Sequence, residues 1–241
     1  MKAIVCGANG AMGKLIQASL EEERIGGLVS LDGENGVPKT FDELGACDAE
    51  VIIDFSHHSA VYEVLAYAKA HKKAVVVGTT GHTAEEKEAI FAAAKEIPVF
   101  YSGNMSLGIA VLCKLAKQAA AAFPDADIEI VEIHHIRKVD APSGTAKMLF
   151  EAVKEVRPEA YANCGRSGEG KREKHEIGIS ALRMGNVVGI HEVHISTPSQ
   201  TLTLKHEAHN RAMFADGAVA AAEFLAPMPA GLYNMEDFLN Q

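Results

Sequence analysis

The sequence predicts an α/β protein: a domain built on a parallel sheet with helices on both faces, plus a smaller α+β domain with a mixed, mostly antiparallel sheet. Three observations lead there. Uninterrupted apolar runs, such as Val51-Ile52-Ile53 and Val75-Val76-Val77, alternate with helical patterns, as expected of parallel strands buried on both faces. From Asp127 onward apolar and polar residues alternate instead, the signature of half-exposed strands. A glycine-rich turn, Gly7-Ala8-Asn9-Gly10-Ala11-Met12-Gly13, joins the first strand to the first helix.

The elements follow in order. Lys2 to Cys6 reads as a buried strand, and Ala11 to Glu23 as a helix with Met12, Leu15, Ile16 and Leu20 at helical spacing. Gly27 to Leu31, Ala49 to Phe55, Ala74 to Gly78 and Ile97 to Tyr101 are the next strands; helices lie between at Ala60 to His71 and Thr83 to Lys95. Leu107 to Phe123 is a long helix, Asp127 to His135 a strand and Ser143 to Val156 a helix. Arg157 to Lys174 is polar and Gly-rich, so it reads as a loop. Glu176 to Arg183, Val187 to Ser196 and Thr201 to Ala208 are strands, with a turn at Met184-Gly185-Asn186, and Arg211 to Leu225 is a closing helix.

Composition narrows the function. A formal charge of −9 gives no positive field to attract nucleic acid or an anionic membrane surface, so a local basic cluster suits a small anion better than a polymer. No apolar run approaches the roughly 18–20 residues that span a bilayer. Met1 to Cys6 is too short for a signal-peptide core, since Gly7 interrupts it. Cys6, Cys47, Cys113 and Cys164 are scattered, which points to reduced thiols and a cytoplasmic protein.

The glycine turn has the spacing G-x-x-G-x-x-G. Glycines there let the backbone turn tightly and approach a pyrophosphate, while the helix N-terminus adds N–H groups and a positive dipole end. The alternative is an ordinary strand-to-helix turn; position after the first strand favours a Rossmann-type dinucleotide site. Asp32, about 20 residues on, can accept hydrogen bonds from a ribose 2′-hydroxyl. No cation follows at once to hold a 2′-phosphate, Lys39 being the nearest downstream, so NADH is favoured over NADPH. Gly78-Thr79-Thr80-Gly81 and Ser102-Gly103-Asn104-Met105 end the fourth and fifth strands, where ligands of such sheets sit. Each alone could be a plain turn, but two at the same edge favour a ligand there.

His134-His135-Ile136-Arg137-Lys138 places four cationic or protonatable side chains within five residues, and Ala141-Pro142-Ser143-Gly144-Thr145 opens a helix just beyond. Pro142 suits the first helical turn, and Ser143, Gly144 and Thr145 would present N–H groups and hydroxyls to a carboxylate. Lys138 supplies a charge and a proton, and histidine titrates near neutral pH. His134 and His135 point to opposite faces of an extended strand. The other histidines, among them His57, His58, His191, His194, His206 and His209, read as surface or structural, and no spacing matches a metal site.

The segment Glu132 to Ala146 matches E-x-H-H-x-x-K-x-D-A-P-S-G-T-A without a break, and with it the chain resembles the 4-hydroxy-tetrahydrodipicolinate (dihydrodipicolinate) reductase family. The glycine turn, Asp54-Phe55, Gly78 to Gly81, Asn104-Met105-Ser106, Glu176-Ile177-Gly178, Arg183, Gly185, Gly189, His191 and Arg211 also stand in family order, so the resemblance covers essentially the whole chain. It implies hydride transfer from NADH or NADPH to a cyclic imine dicarboxylate in the diaminopimelate route to lysine. His134 would be the acid/base and Lys138 the proton donor; His135, Gly144 and Thr145 would bind the substrate. Gly7, Ala8, Asn9, Gly10, Ala11, Met12, Asp32, Gly78, Thr79, Thr80, Ser102, Gly103, Asn104 and Met105 would bind the dinucleotide, with no metal. Residues 1–104 and 211–241 would form the dinucleotide-binding domain, and 105–210 the substrate-binding and oligomerisation domain. The family pattern further implies a cleft that closes over substrate and a homotetramer formed through the second sheet. The stretch between Asp32 and Phe41 is short where some members carry an insertion, and Arg137 is a variable position. Two other readings stay open on the residues alone: a different dehydrogenase of small amino or keto acids, and a nucleotide sensor without catalysis.

Overall fold

A computed structural model describes all residues, Met1–Gln241, in two compact units: Met1–Ser106 with Ala212–Gln241, and Leu107–Arg211.

The first unit opens with β1 (Ala3–Cys6), α1 (Ala11–Ser19), β2 (Ile25–Val29), α2 (Phe41–Leu44), β3 (Val51–Asp54), α3 (Val61–Ala70), β4 (Ala74–Val77), α4 (Ala84–Ala93) and β5 (Pro98–Tyr101). The second contains α5 (Leu107–Ala122), β6 (Asp127–His134), α6 (Gly144–Lys154), β7 (Tyr161–Cys164), β8 (Glu176–Arg183), β9 (Gly189–Thr197) and β10 (Gln200–Ala208). The chain then returns to the first unit with α7 (Ala212–Leu225), β11 (Gly231–Tyr233) and α8 (Met235–Leu239).

The first sheet has the order β11-β5-β4-β3-β1-β2, and every pairing is parallel. Val51, Ile52, Ile53 and Val75, Val76, Val77 are fully buried, because α3 packs on β3 and β4 while α7 lies against β3, β4 and β5. That double coverage is why these strands are uniformly apolar. The alternation of strand and helix leaves the C-terminal ends of β1, β3, β4 and β5 on one edge, where their loops gather. Thr83 and Glu86 close a capping box on α4, which fixes where the chain leaves the Gly78 to Gly81 loop.

Two boundaries differ from the periodicity. The first helix stops at Ser19, since Leu20 turns extended and a short 3-10 turn at Glu22–Arg24 follows. The second strand runs Ile25–Val29 because pairing with β1, which shifts register between Ala3 and Ile4, decides its extent. The tail adds β11 and α8, which no apolar period announced; β11 adds to the sheet edge by pairing with β5.

The second sheet, β10-β9-β6-β8-β7, is mixed. As expected, most of its residue pairs are antiparallel, because β9 is antiparallel to both β6 and β10; β8 is parallel to both β6 and β7. The cause is the crossover through α6, which returns the chain in the direction of β6. The expected loop Arg157 to Lys174 contains β7, an edge strand of four mostly exposed residues, too short to show a period. The rest of that stretch is anchored by Arg172, which donates to the Ile128 and Glu176 carbonyls, and by Arg166 on Glu176. Helices α5 and α6 cover one sheet face, burying Ile128, Ile130, Ile177, Ile179, Val193 and Ile195 with Leu112, Leu149 and Val153. The other face, with Val131, Ile133, Leu182 and Ile190, has no helix over it and is half-buried or exposed.

Candidate active site

The dinucleotide signal in the first unit is built on Gly7. Its φ of +81° and the Phe55 carbonyl beside its α-carbon exclude a side chain. The Gly7 and Ala8 N–H groups both donate to the Val29 carbonyl, at 2.9 and 3.1 Å, so the loop spans the ends of β1 and β2. Gly10 is the N-cap of α1 and has no side chain to satisfy the amides of Met12 and Gly13, which leaves the helix start suited to an anion. Gly13 brings the helix tight against the loop, since a β-carbon there would strike the Gly7 carbonyl.

Asp32 lies beside this turn. Its Oδ1 accepts from Asn9 Nδ2 at 2.6 Å and from the Glu34 N–H at 3.1 Å, and the Asn9 bond leads in holding its carboxyl below the usual range. Lys39, a few residues downstream, lays its side chain against Gly33, so the nearest cation in sequence is also a spatial neighbour of Asp32.

An open cavity of ≈ 430 Å³ lies at the strand C-termini, lined by Met12, Phe55, Ser56, His57, His58, Gly78, Thr79 and Thr80. That volume is within the roughly 300–1,000 Å³ of small-molecule sites. Buried Asp54 organises it: Oδ1 accepts from Ser56 N–H at 3.1 Å and Oγ at 2.5 Å, and Oδ2 accepts from Thr79 Oγ1 at 2.9 Å. Burial pushes the Asp54 carboxyl up despite these bonds. The Thr79 hydroxyl is thus engaged inside the protein, and a ligand would meet this loop through its main chain and Thr80.

Ser102 to Met105 do not line that cavity. Ser102 Oγ bonds both the N–H and the carbonyl of Asn104, and the Met105 side chain is in the core, so only its main chain is left for a ligand. The glycine loop, Asp32 and the strand-end loops fit a dinucleotide: a side-chain-free approach at Gly7, an uncapped helix start, and a carboxylate at the end of β2. No group of three or more His, Cys, Asp or Glu is placed to hold a metal ion.

The second unit assembles the basic segment around Glu132. This fully buried carboxylate accepts from His134 Nδ1 at 2.5 Å, from Arg183 Nη1 and Nη2 at 2.8 Å each, and from the Ser143 N–H at 3.0 Å. Burial pushes the Glu132 carboxyl up, but the bonds from Arg183, His134 and Ser143 outweigh it and the net shift is downward. His134 is the last residue of β6 and buried; His135, on the opposite side, is half-buried, and burial followed by the charge of Arg137 lowers its pKa. Lys138 Nζ pairs with Asp140 Oδ1 at 2.8 Å, and Arg183 Nη2 donates to the Asp140 carbonyl at 2.6 Å, which ties the loop to β8.

Pro142 and Ser143 take other roles than expected. Pro142 precedes the helix after a cis peptide bond, and Ser143 is the N-cap, its Oγ accepting from the Ala146 N–H at 3.2 Å. With its N–H on Glu132 and its hydroxyl beside His191 Nε2 at 3.2 Å, Ser143 is removed from the carboxylate cradle, whose candidates are then Gly144 and Thr145 in the first turn. Arg137 turns aside to Asn186 Oδ1 at 2.8 Å.

Sequence reasoning missed three members of this group. Glu132 and Arg183 stood in the motif and in family order without a role. His191 read as ordinary, yet it is buried with its ring edge-on to His134 at 5.1 Å. The alternation of β6 could have signalled Glu132, since it puts that carboxylate on the buried face with Ile128 and Ile130.

An open α/β sheet with this glycine turn, followed by a second unit with a buried Glu132–His134–Arg183 cluster, is the build of a nicotinamide-dinucleotide-dependent oxidoreductase. Residues 1–105 match the family model described as dihydrodipicolinate reductase, N-terminus, and residues 108–239 the one described as dihydrodipicolinate reductase, C-terminus. The 4-hydroxy-tetrahydrodipicolinate reductase of Alkaliphilus metalliredigens is 44% identical over 99% of both chains, and that of Caulobacter vibrioides 41% identical over 99% of this chain and 97% of its own. A dipicolinate-bound dihydrodipicolinate reductase from Paenisporosarcina sp. TG-14 superposes with a TM-score of 0.81, at 24% identity and 97% coverage of each chain. The chain belongs to the dihydrodipicolinate reductase family, oxidoreductases of diaminopimelate and lysine biosynthesis.

Two outcomes follow from this geometry. Gly7→Ala, which forces a side chain into a left-handed position against the Phe55 carbonyl, should weaken NAD(P)H binding at least tenfold, read by fluorescence titration. Burial, with the charge of His134 next, pushes His191 down to about 3. The unfolded chain therefore takes up a proton near the ordinary pKa of about 6.5 that the folded protein refuses. Stability from this group is present above about pH 6.5 and is lost as pH falls toward 3; urea unfolding at pH 7.5 and 5 should show a smaller pH dependence for His191→Gln than for the parent.

Proposed function

We propose that this chain reduces 4-hydroxy-2,3,4,5-tetrahydrodipicolinate, with loss of water, to 2,3,4,5-tetrahydrodipicolinate. The observation that carries the reading is the single loop-and-helix segment of the second unit, which combines a buried histidine, a lysine and a helix N-terminus. When bound, NAD(P)H supplies the hydride to the ring carbon. Lys138 gives a proton to the neighbouring carbon as charge develops there, and His134 serves as acid/base. His135 and the N-terminal turn of α6 at Gly144 and Thr145 hold the two carboxylates. The first unit binds the dinucleotide: the turn Gly7, Ala8, Asn9, Gly10, Ala11 and Met12 holds the pyrophosphate, and Asp32 the ribose. The loops Gly78, Thr79, Thr80 and Ser102, Gly103, Asn104, Met105 face the nicotinamide half. Residues 1–104 with 211–241 act as the dinucleotide domain and 105–210 as the substrate and assembly domain.

NADH is the favoured cofactor, because the Asp32 carboxylate would meet a ribose hydroxyl but repel a phosphate. The side chain of Lys39 beside Gly33 keeps NADPH usable. The protein works in the cytoplasm as a homotetramer. Two features support this: no helix is long and apolar enough to cross a membrane, and the face with Val131, Ile133, Leu182 and Ile190 would be covered by a second copy.

The test couples the protein to the upstream synthase with pyruvate and aspartate semialdehyde and follows loss of reduced nicotinamide. Turnover with a higher kcat/KM for NADH is expected; no substrate-dependent oxidation would refute the reading, and a large NADPH advantage would refute the cofactor preference. Lys138→Ala should lower kcat about 10²–10⁴-fold with NADH binding intact. Sedimentation at micromolar protein should give a tetramer, and Leu182→Glu, which charges the open sheet face, should shift it to smaller species.

A further inference from the structure

Resting on His134 as the acid/base, we infer that Glu132 is a positioning residue that makes His134 work through Nε2, and that Arg183 holds Glu132 to that task. Each Glu132 oxygen has two donors: Oε1 takes Arg183 Nη2 and the Ser143 N–H, and Oε2 takes Arg183 Nη1 and His134 Nδ1. An ionised carboxylate only accepts hydrogen bonds. The proton between Glu132 and His134 therefore belongs to Nδ1, and the neutral ring carries its lone pair on Nε2.

The surroundings favour the same nitrogen. A β-carbon on Gly189 would stand 3.1 Å from His134 Nε2, so this glycine keeps the approach to the working nitrogen clear. His191, held neutral by burial and set edge-on to His134, adds no charge against a protonated ring. The other titratable and charged groups about the pair are Arg183 from β8, His206 from β10, His135 next in the chain, and Lys138 and Asp140 from the loop.

Arg183 determines how far Glu132 can act. The bidentate guanidinium meets both carboxylate oxygens, so the carboxylate stays fixed in direction and keeps one lone pair aimed at His134 Nδ1. Arg183 also donates to the Asp140 carbonyl, which links the orientation of His134 to the loop that carries Lys138.

The test has two arms. Neutron diffraction of the deuterated wild-type protein, above the pH at which imidazole titrates, should show deuterium on His134 Nδ1 and none on Nε2; the reverse overturns the inference without any variant. In Glu132→Gln the side-chain amide would donate to Nδ1 and move the ring proton to Nε2. The variant should lose kcat about 10²–10⁴-fold with KM changed less than threefold, and the acidic arm of its pH profile, which reports the Nε2 lone pair, should disappear, whereas Glu132→Asp should recover part of kcat. A Glu132→Gln kcat within twofold of wild type also overturns it. Absence of wild-type turnover would instead sink the reductase reading and leave the position of the deuteron to decide the geometry.

Discussion

A carboxylate buried without a single exposed atom is stable only when its lone pairs are met, and Glu132 is such a group. Its four donors come from β6, β8 and the start of α6. Satisfying it therefore sets where α6 begins, how Arg183 crosses the sheet and which way His134 turns. Leaving Arg183 out would strand that charge in the interior, and leaving another donor out would strand a lone pair, so the demand is felt across the whole end of the second sheet. The loop with Lys138 hangs on the same frame through the Asp140 carbonyl.

Asp54 has a comparable part in the first unit. It sits at the end of β3, fully buried, and its oxygens draw in Ser56 and Thr79. Those bonds close the strand-end loops on each other and leave the cavity above them with a fixed floor. In both units a buried acid is answered by neighbouring donors, and the groups left over, main-chain amides and a few side chains, are the ones that face a ligand.

Much of the fold was legible in the sequence because its cause is local. The Val and Ile runs of β3 and β4 follow from burial on two faces, and the alternation in β6 from burial on one. Gly7 and Gly13 were legible because a backbone that must turn and pack closely admits no other residue. The parallel pairing of β7 with β8 was not legible: a mostly exposed edge strand of four residues is too short to carry an apolar period, and its direction depends on the α6 crossover. Pro142 looked like a first-turn residue because its φ suits a helix, but the cap fell to Ser143, whose hydroxyl reaches the Ala146 amide.

By itself the sequence determined the strand–helix alternation, the dinucleotide turn and the basic segment, since each is written in neighbouring residues. Only the tertiary structure decided which of those residues share a site. Arg183 and His191 lie 51 and 48 residues from the partners they bond, Glu132 and Ser143, and pairing of β6 with β8 and β9 brings them there. It also removed Arg137 and Ser143 from the anion site by giving them nearer partners, Asn186 for the first and Glu132, Ala146 and His191 for the second. A side chain's partner is set by which strands pair and in what register, and that is settled by burial over the whole sheet rather than by any run of residues.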